Sequence, residues 1–429
     1  MKILIKPLRD QWPDLCRRPG LNIDKLENNV SDLLMRIRKE GLTAIQELTE
    51  KFDGYLPDPL AVSTEEISKA SGFLSEDLKT AMNIAAGNIE SFHRSQLRES
   101  IVVETSPGIR CWQKDVPIES VGLYIPGGTA PLFSTVLMLG IPARIAGCRE
   151  ISLCTPAGKD GKIHPAVLYA ASLCGIEKVY RIGGVQAIGA MTYGISPVEK
   201  AFKIFGPGNQ YVTMAKQLVS RQDVAIDMPA GPSEVLVIAD NTSDPLFVAA
   251  DLMSQAEHGS DSQVMVLCLS EYFLQSVVSE LSRILKTLPR AEMARKSLDN
   301  SIGLVLKDID EMLAFSNLYA PEHLILSLDG ALELAEKITN AGSVFIGSYS
   351  PESAGDYATG TNHTLPTNGY ARACSGLSTQ SFMKTIQYQE LTQKGLSDLG
   401  PHVIRMAEEE GLDAHALAVS VRLNKIKNE

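Results

Sequence analysis

The spacing of apolar residues changes near residue 120, and the two parts of the chain predict different structures. Between residues 21 and 100, apolar residues recur every three or four positions, which predicts helices over 23–38, 43–52, 64–72 and 76–93. From Ser120 onwards, short apolar runs end in Gly or Pro and are each followed by an amphipathic stretch. This repeated order of strand and helix predicts parallel sheets that are covered on both faces.

The strand patterns fall into two groups, which predict an α/β fold of two lobes. The first group is SVGLYIPGG, EISLCTPAG, EKVYRIGG and AFKIFGPGN; the second begins at Glu234 and is EVLVIAD, SQVMVLCLS, SIGLVLKD, EHLILSL and GSVFIGSY. After Ser378 we expect only helices, in TIQYQELTQ, PHVIRMAEEEG and DAHALAVSVRLNK. A tail of this size cannot hold its own core, so it must pack on its own lobes or on a second subunit.

Composition and charge narrow the class of protein. The 429 residues are 44% hydrophobic and 21% charged, which is typical of a globular protein and excludes disorder, collagen and coiled coil. The net charge of −11 offers no basic surface to nucleic acid or anionic lipid, so we expect a small-molecule partner. The sequence shows neither a signal-peptide pattern nor a membrane-spanning run, and its seven cysteines form no CxxC pair. We therefore expect a cytoplasmic protein with reduced thiols.

Three Gly-rich loops follow predicted strands of the first group and precede helical patterns. They are Tyr124-Ile-Pro-Gly-Gly128, Gly183-Gly-Val-Gln186 and Gly206-Pro-Gly-Asn209. Ligands bind beyond the carboxyl ends of parallel strands, where glycines let the backbone approach closely and helix N-termini favour anions. None of the loops is a GxGxxG, and each alone is compatible with a plain turn. Three in one lobe favour a ligand site.

Imidazole and oxygen ligands are concentrated in a few polar segments. Gln255 and His258 are three residues apart in a helical pattern, so both can reach one ligand, although a histidine near a helix C-terminus is favoured by the dipole in any case. Four of the seven histidines fall in loops or polar segments with a carboxylate or amide within five residues: His258, His323, His363 and His415. Such ligands without thiolate suit zinc or manganese.

Two further segments carry groups that could act in catalysis. Glu322 and His323 are adjacent at the start of a predicted strand, where their side chains diverge; the alternative is an edge strand whose polar residues face water. Residues 347–366 form a polar loop of 20 residues that contains Asp356 and His363, and loops of this length are usually functional or disordered. The run Glu408-Glu409-Glu410 is typical of a solvated helix face.

Together these motifs resemble the histidinol dehydrogenase family, which carries out the last two oxidations of histidine biosynthesis. The resemblance covers nearly the whole chain, on SVGLYIPGG, PLFSTVLMLGIPARIAGC, IFGPGN, DMPAGPSEVLVIAD, DLMSQAEHGSDSQ, APEHL, GSVFIGSYSPESAGDYATGTNHTLPT and DAHALAVSVRLN. It implies a cytoplasmic, NAD-dependent four-electron oxidation of L-histidinol through L-histidinal to L-histidine. One Zn²⁺ per subunit is implied, for which Mn²⁺ could substitute. The implied fold has two incomplete Rossmann-like lobes, in which GxGxxG is not expected, and a helical tail that is exchanged in a homodimer.

The resemblance also implies roles for individual residues. The implied metal ligands are Gln255, His258, Asp356 and, from the tail of the other subunit, His415. His323 corresponds to the general base and Glu322 to the group that activates water. The implied substrate contacts are Ser233, His363 and Glu410, together with His323 and the metal ligands. The implied dinucleotide contacts are Tyr124, Gln186 and Asn209.

We accordingly divide the chain into four parts. Residues 1–20 form an N-terminal arm, and residues 21–119 and 234–377 form a first lobe with the metal and catalytic residues. Residues 120–233 form a second lobe with the NAD-contacting loops, and residues 378–429 form a helical dimerisation tail.

Other functions remain open on the residues alone. They are a dehydrogenase of another amino or sulfonated alcohol, a metal-dependent hydrolase without NAD, and a non-catalytic amino-acid binding protein of two lobes. The Gly-rich loops disfavour the hydrolase, and the pair Glu322-His323 disfavours the binding protein. A chemical alternative to water attack is a thiohemiacetal on Cys111 or Cys148, but neither thiol has a base next to it in the sequence.

Overall fold

The computed structural model describes residues 1–18, 23–56, 58–127, 130–228 and 231–428; Gly128, at the end of the first Gly-rich loop, lies outside them. The strands are β1 (Lys2–Ile5), β2 (Val102–Ser106), β3 (Ile109–Pro117), β4 (Ser120–Tyr124), β5 (Glu150–Thr155), β6 (Lys178–Arg181), β7 (Lys203–Phe205), β8 (Ala225–Ile226), β9 (Glu234–Ala239), β10 (Gln263–Cys268), β11 (Ile302–Val305), β12 (His323–Ser327), β13 (Ser343–Ile346) and β14 (Met383–Leu391).

Helices alternate with most of these strands. They are α1 (Trp12–Leu15), α2 (Ile23–Glu40), α3 (Leu42–Asp53), α4 (Thr64–Lys69), α5 (Glu76–Arg94), α6 (Phe133–Ala146), α7 (Pro165–Leu173), α8 (Gly184–Tyr193), α9 (Gln210–Ser220), α10 (Pro245–Ala256), α11 (Glu271–Ile284), α12 (Ala291–Asp299), α13 (Ile309–Tyr319), α14 (Ala331–Ala335), α15 (Glu352–Tyr357), α16 (Gln393–Glu409) and α17 (Asp413–Asn428). Short 3₁₀ turns lie at Arg9–Gln11, Ala70–Phe73, Tyr370–Arg372 and Thr379–Phe382.

Two parallel sheets form the centre of a first unit, which comprises residues 1–96 and 118–382. One sheet has six strands in the order β1-β11-β10-β9-β12-β13, and the other has five in the order β6-β5-β4-β7-β8. Every strand pair in both sheets is parallel. The prediction of an α/β protein with two parallel sheets is therefore confirmed.

Both faces of the six-stranded sheet are buried, which explains the continuous apolar runs in its strands. Along β9, Val235 and Val237 pack into one hydrophobic cluster, whereas Leu236 and Ile238 pack into another. Successive side chains of a strand point to opposite faces, so an apolar residue is needed at every position when helices cover both.

The N-terminal segment contributes to both sheets of the first unit. The arm assigned to residues 1–20 contains β1, which pairs with β11 and forms the edge of the six-stranded sheet. Helices α2 and α3 pack through Val30, Ile37 and Ile45 on the core of the five-stranded sheet. This differs from our assignment of residues 21–119 to the lobe of residues 234–377, because the apolar faces of these two helices are buried on the other sheet.

A second unit comprises residues 97–117 and 383–429 and contains an antiparallel sheet in the order β14-β3-β2. The prediction of a helix in TIQYQELTQ is wrong, because its residues up to Leu391 belong to β14, which pairs with β3 from Met383 to Leu391. Trp112 of β3 stacks on Tyr388 of β14 with ring centroids 5.3 Å apart. The two tail helices α16 and α17 follow β14, as predicted.

None of the helices in the described ranges combines the length and the apolar composition that crossing a membrane requires.

Candidate active site

Several of the polar residues singled out in the sequence meet where the strands of the six-stranded sheet begin. The neighbouring strands β9 and β12 begin there, at Glu234 and His323. Gln255 lies in the last turn of α10, and its amide oxygen accepts a hydrogen bond from the backbone nitrogen of Glu234 at 3.2 Å. Glu322 accepts from the same nitrogen at 2.8 Å. The start of β9 therefore organises side chains from two distant segments.

The imidazole of His323 is buried among carboxylates. Its Nδ1 lies 3.2 Å from the carbonyl oxygen of Glu234, and its Nε2 has no hydrogen-bond partner in the described structure. Because a carbonyl oxygen can only accept, Nδ1 carries the proton in the neutral ring and Nε2 carries the free lone pair. Nε2 lies 3.5 Å from Oδ1 of Asp356. The ring is thus oriented to accept a proton at Nε2.

Charge around His323 shifts its pKa and that of its neighbour. Burial lowers the pKa of His323, but the surrounding carboxylates, Glu352 foremost, outweigh burial and hold that pKa well above its usual value. Burial raises the pKa of Glu322 to about 8, although the charge of His323 opposes the rise. Glu322 is 6% exposed and His323 3%, and β12 lies between β9 and β13. The alternative of an edge strand with these side chains in water is therefore wrong.

The short helix α15 contributes a residue that the sequence analysis missed. We expected a loop over residues 347–366, but residues 352–357 are helical, which places Glu352 and Asp356 four positions apart on one face. Glu352 is 1% exposed and lies 3.6 Å from Nδ1 of His323, and it accepts a hydrogen bond from the amide of Gln255. Only the spacing of four residues could have indicated it, once a helix was assumed.

These residues suit a divalent cation. His323, Glu352 and Asp356 each offer a ligand atom within 4.8 Å of the others. His323 Nε2, Glu352 Oε2 and Asp356 Oδ1 are buried and lack a hydrogen-bond partner among the described residues. Buried carboxylate oxygens without partners are costly unless a cation or a donor neutralises them. Nitrogen and oxygen ligands of this kind fit zinc or manganese.

The other residues implied by the resemblance lie partly at this cluster and partly elsewhere. His258 follows α10; burial lowers its pKa, and the nearby charge of Asp356 opposes that shift. His363 Nδ1 lies 2.9 Å from the carbonyl oxygen of Asp356, and burial lowers the pKa of His363. Ser233 directly precedes β9 and is half-buried. The remaining two lie in the second unit and are exposed: Glu410 at the end of α16 and His415 in the first turn of α17.

The three Gly-rich loops lie at the carboxyl ends of β4, β6 and β7 in the five-stranded sheet. Tyr124, Gln186 and Asn209 all line one cavity of about 1010 Å³. The Tyr124 hydroxyl accepts from the backbone nitrogen of Gly184 at 3.1 Å, which joins the first loop to the second. Asn209 caps α9 by accepting from the nitrogens of the next turn at 3.0 and 3.1 Å. The loops therefore share one ligand-sized space.

A buried ion pair stabilises the third Gly-rich loop through hydrogen bonds to its backbone. Lys216 pairs with Asp227 and donates to the carbonyl oxygen of Gly206 at 2.7 Å, while the nitrogen of Gly206 donates to Asp227 at 2.8 Å. Gly206 has φ 123°, and a Cβ there would lie 2.0 Å from the carbonyl oxygen of Tyr124. Only glycine fits this close approach of the loops after β4 and β7.

Cys148 and Cys111 are the two thiols of the alternative thiohemiacetal route. All seven cysteines are free. Burial raises the pKa of Cys148 to about 12, and its sulfur faces the carbonyl oxygen of Phe382 at 3.7 Å. Cys111 lies on β3 of the second unit. Because the thiolate is the reactive form, Cys148 is poorly suited to attack an aldehyde.

Comparison with known proteins agrees over the full length of the chain. The sequence model of a family described as histidinol dehydrogenase matches residues 16–423. A histidinol dehydrogenase from Bacteroides thetaiotaomicron is 57% identical over 427 residues, which cover 100% of each chain. One from Vibrio cholerae is 52% identical over 97% of this chain and 96% of its own. The crystal structure of histidinol dehydrogenase from Elizabethkingia anophelis superposes with a TM-score of 0.97 at 53% identity, over 100% of this chain and 99% of the other.

Proposed function

Because this chain belongs to the histidinol dehydrogenase family, whose members are oxidoreductases of histidine biosynthesis, we propose that it oxidises L-histidinol through L-histidinal to L-histidine with two NAD. The observation that carries the mechanism is the imidazole of His323, held by the Glu234 carbonyl so that Nε2 is free, next to the buried carboxyl of Glu322. This pair offers one group for each of the two kinds of proton transfer that the reaction needs.

The metal site is proposed at the residues that the resemblance implies, which share Asp356 with the buried cluster of His323, Glu352 and Asp356 and leave His323 free to act as a base. Gln255, His258 and Asp356 would hold a zinc ion, completed by His415 of the partner subunit. The unpartnered Oδ1 of Asp356 and the contact of Gln255 with Glu352 support this assignment. Bound zinc would position the amino and imidazole nitrogens of the substrate, so that the reacting carbon is fixed against the nicotinamide.

His323 is proposed as the general base of both oxidations. Nε2 takes the hydroxyl proton of the alcohol while the C–H bond releases a hydride, for which NAD is the acceptor when bound. In the neutral ring the Glu234 carbonyl behind Nδ1 leaves the lone pair on Nε2, and a bound cation at Asp356 would offset the carboxylate charge that raises the pKa of His323, so that the ring can act as a base. In the second oxidation Nε2 takes the proton of the hydrated aldehyde in the same way.

Glu322 is proposed to act between the two oxidations. An aldehyde carries no hydroxyl, so water must add to its carbonyl before a second hydride can leave. The carboxylate of Glu322 takes one proton from that water as the new C–O bond forms, and the carbonyl oxygen takes the proton that His323 Nε2 gained in the first oxidation, which frees Nε2 for the second. A buried carboxyl with a raised pKa is a stronger base, once ionised, than an exposed one, and the pKa of about 8 supports this role.

Cofactor and substrate contacts complete the proposal. Tyr124, Gln186 and Asn209 contact the dinucleotide, which is supported by their common cavity at the carboxyl ends of β4, β6 and β7. The proposed substrate contacts are Ser233, His363 and Glu410, and the tails are exchanged in a homodimer. The expected location in the cytoplasm stays a prediction.

The test is the number of NADH formed per molecule of limiting L-histidinol, with and without a chelator, followed by addition of zinc or manganese. We expect two NADH per substrate, loss of turnover on chelation and recovery with metal. One NADH would limit the reaction to the aldehyde. Absence of NADH would redirect the assignment to a hydrolase or a binding protein.

A further inference from the structure

The five-stranded sheet has the strand arrangement of a dinucleotide-binding fold but lacks an acid at one position. From β4 the chain places β5 and β6 on one side and β7 and β8 on the other. In such folds an Asp or Glu at the carboxyl end of the second strand binds the adenosine ribose. Here the second strand, β5, ends at Thr155 and is followed by Pro156, Ala157 and Gly158. The strand itself therefore supplies no acid.

A carboxylate from a distant helix occupies this position instead. Asp53 is the last residue of α3, and its Oδ2 accepts from the amide of Gln186 at 3.2 Å. A Cβ built on Gly183 would lie 3.1 Å from the same oxygen and 2.8 Å from Pro156. Asp53 thus lies where the loops after β5 and β6 meet.

The segment that carries Asp53 is fixed to both loops. The hydroxyl of Tyr55 donates to the carbonyl oxygen of Arg181 and accepts from the nitrogen of Ala157, each at 2.9 Å. Arg181 ends β6 and Ala157 follows β5. Because one buried hydroxyl joins the end of α3 to both strand ends, the carboxylate of Asp53 is held in place rather than free on the surface.

The surroundings of Asp53 favour an uncharged ribose over a phosphate. Asp53 and Asp32 line the cavity that contains Tyr124, Gln186 and Asn209, and Lys159 is the one cation among its described lining residues. Asp53 is half-buried, which weakens the screening of its charge by solvent. Its Oδ1 has no hydrogen bond among the described contacts, which leaves one oxygen for a ligand hydroxyl.

We propose that Asp53 accepts a hydrogen bond from the adenosine ribose hydroxyls of NAD and thereby selects NAD over NADP. A carboxylate pairs well with a 2′-hydroxyl, whereas the 2′-phosphate of NADP would place two further negative charges beside it. This inference rests on the proposed function, since it takes the cavity at the Gly-rich loops as the dinucleotide site.

The test compares D53N with the unchanged enzyme, each containing zinc. An amide oxygen at position 53 can still accept from Gln186, so the change removes the charge and retains that hydrogen bond. We expect kcat/KM for NAD to fall about ten- to a hundredfold and the ratio of NADP to NAD activity to rise at least about tenfold. Titration calorimetry with NADH and NADPH, without substrate, should show the same change in relative affinity.

E50Q is the matched control. Glu50 lies one turn earlier on α3, is exposed, and lies outside the cavity lining. In this variant the ratio of NADP to NAD activity and the relative affinity for NADH and NADPH should both be unchanged. Equal losses for NAD and NADP in D53N, or an unchanged ratio, would overturn the proposal and leave Asp53 as a support for Gln186. If the unchanged enzyme formed no reduced nucleotide from L-histidinol, the proposed function would fail, while the titrations would still decide the role of Asp53.

Discussion

At the scale of single residues, charge balance decides what the cluster can bind. Glu322, Glu352 and Asp356 all face His323 at 3.7 Å or less, and His323 supplies one positive charge at most. Glu234 does not share this cation, because Arg18 pairs with it at 2.8 Å. Three carboxylates in a buried site therefore need either protons or a further cation. A divalent ion at Asp356 would supply this positive charge. The raised pKa values of Glu322 and His323 and the proposed metal therefore have one cause, the burial of an excess of carboxylates.

Removing the acid of Glu322 should separate the two halves of the reaction. In E322Q the amide oxygen can still accept from the Glu234 nitrogen, so the fold is kept, but no carboxylate remains to deprotonate water. We expect the alcohol step to persist and the aldehyde step to fall about 10²- to 10⁴-fold. NADH per L-histidinol should then drop from two to one, and a carbonyl trap should recover the aldehyde.

The control for this prediction is E336Q. Glu336 is exposed at the end of α14 in the same unit, so its substitution changes charge without touching the cluster. Equal loss of both steps in E322Q would contradict the assignment of water activation to Glu322.

The raised pKa of Cys148 leads to a second prediction at this scale. With a pKa of about 12, roughly one thiol in 10⁴ is ionised at pH 8, so alkylation of Cys148 should be slow and should accelerate as pH rises.

C148S and C111S should each retain turnover within about twofold, since water rather than a thiol attacks the aldehyde. Peptide mapping after iodoacetamide treatment and steady-state rates check both points. Loss of only the aldehyde step in either variant would favour the thiol route.

Sequence could identify some of these residues and not others for a physical reason. Glu322 and His323 are adjacent, so their proximity is given by the chain itself. Glu352 depends on a helix of six residues that the polar sequence around it does not reveal. Asp53 and Gln186 are 133 residues apart, and only the packing of α3 on the five-stranded sheet brings them together.

At the scale of elements, the spacing of apolar residues was sufficient to predict those helices whose structure is set by nearby residues. The four N-terminal helices appear within about two residues of their expected bounds, apart from a 3₁₀ turn at the end of α4, because amphipathic spacing and caps agree. The hydroxyl oxygen of Ser75 caps α5 by accepting from the backbone nitrogen of Leu78 at 3.3 Å. In β14, by contrast, Thr385, Ile386 and Tyr388 favour a strand, but its faces are mostly exposed and show no strong alternation. Pairing with β3 decides its structure, and that partner lies about 270 residues away.

Helix α15 offers a prediction about the link between packing and the metal site. A Cβ on Gly355 would lie 2.5 Å from the ring of Phe345, so G355A should displace α15 and with it Glu352 and Asp356. We expect zinc affinity to fall about 10- to 100-fold, measured by competition with a chelator. G87A is the control, because a Cβ on Gly87 in α5 meets nothing within 4 Å. Unchanged affinity in G355A would show that α15 does not position a ligand.

At the scale of the whole molecule, the two sheets of the first unit carry different groups of candidate site residues. In the six-stranded sheet the acids and imidazoles lie at the amino-terminal ends of the strands, and in the five-stranded sheet the Gly-rich loops lie at the carboxyl ends. A hydrogen-bonding contact of 3.2 Å between His363 and Thr135, near the start of α6, joins the two groups. The strand pattern predicted both sheets, the Gly-rich loops at the ends of strands and the pair Glu322-His323 at the start of one. The contact between His363 and Thr135, which are 228 residues apart, follows from tertiary packing that the pattern does not contain.

The proposed exchange of tails can be tested with two inactive chains. If each site uses His258 of one subunit and His415 of the partner subunit, a mixed dimer of H258A and H415A contains one site with both histidines intact and one with neither. Purified mixed dimers, selected with two different tags, should then show about half of the unmodified activity, while each variant alone stays inactive. If each tail served its own subunit, every site in the mixed dimer would lack one histidine and no activity would return. The recovered fraction therefore distinguishes the two arrangements, because exchange alone can restore a complete set of ligands from two defective chains.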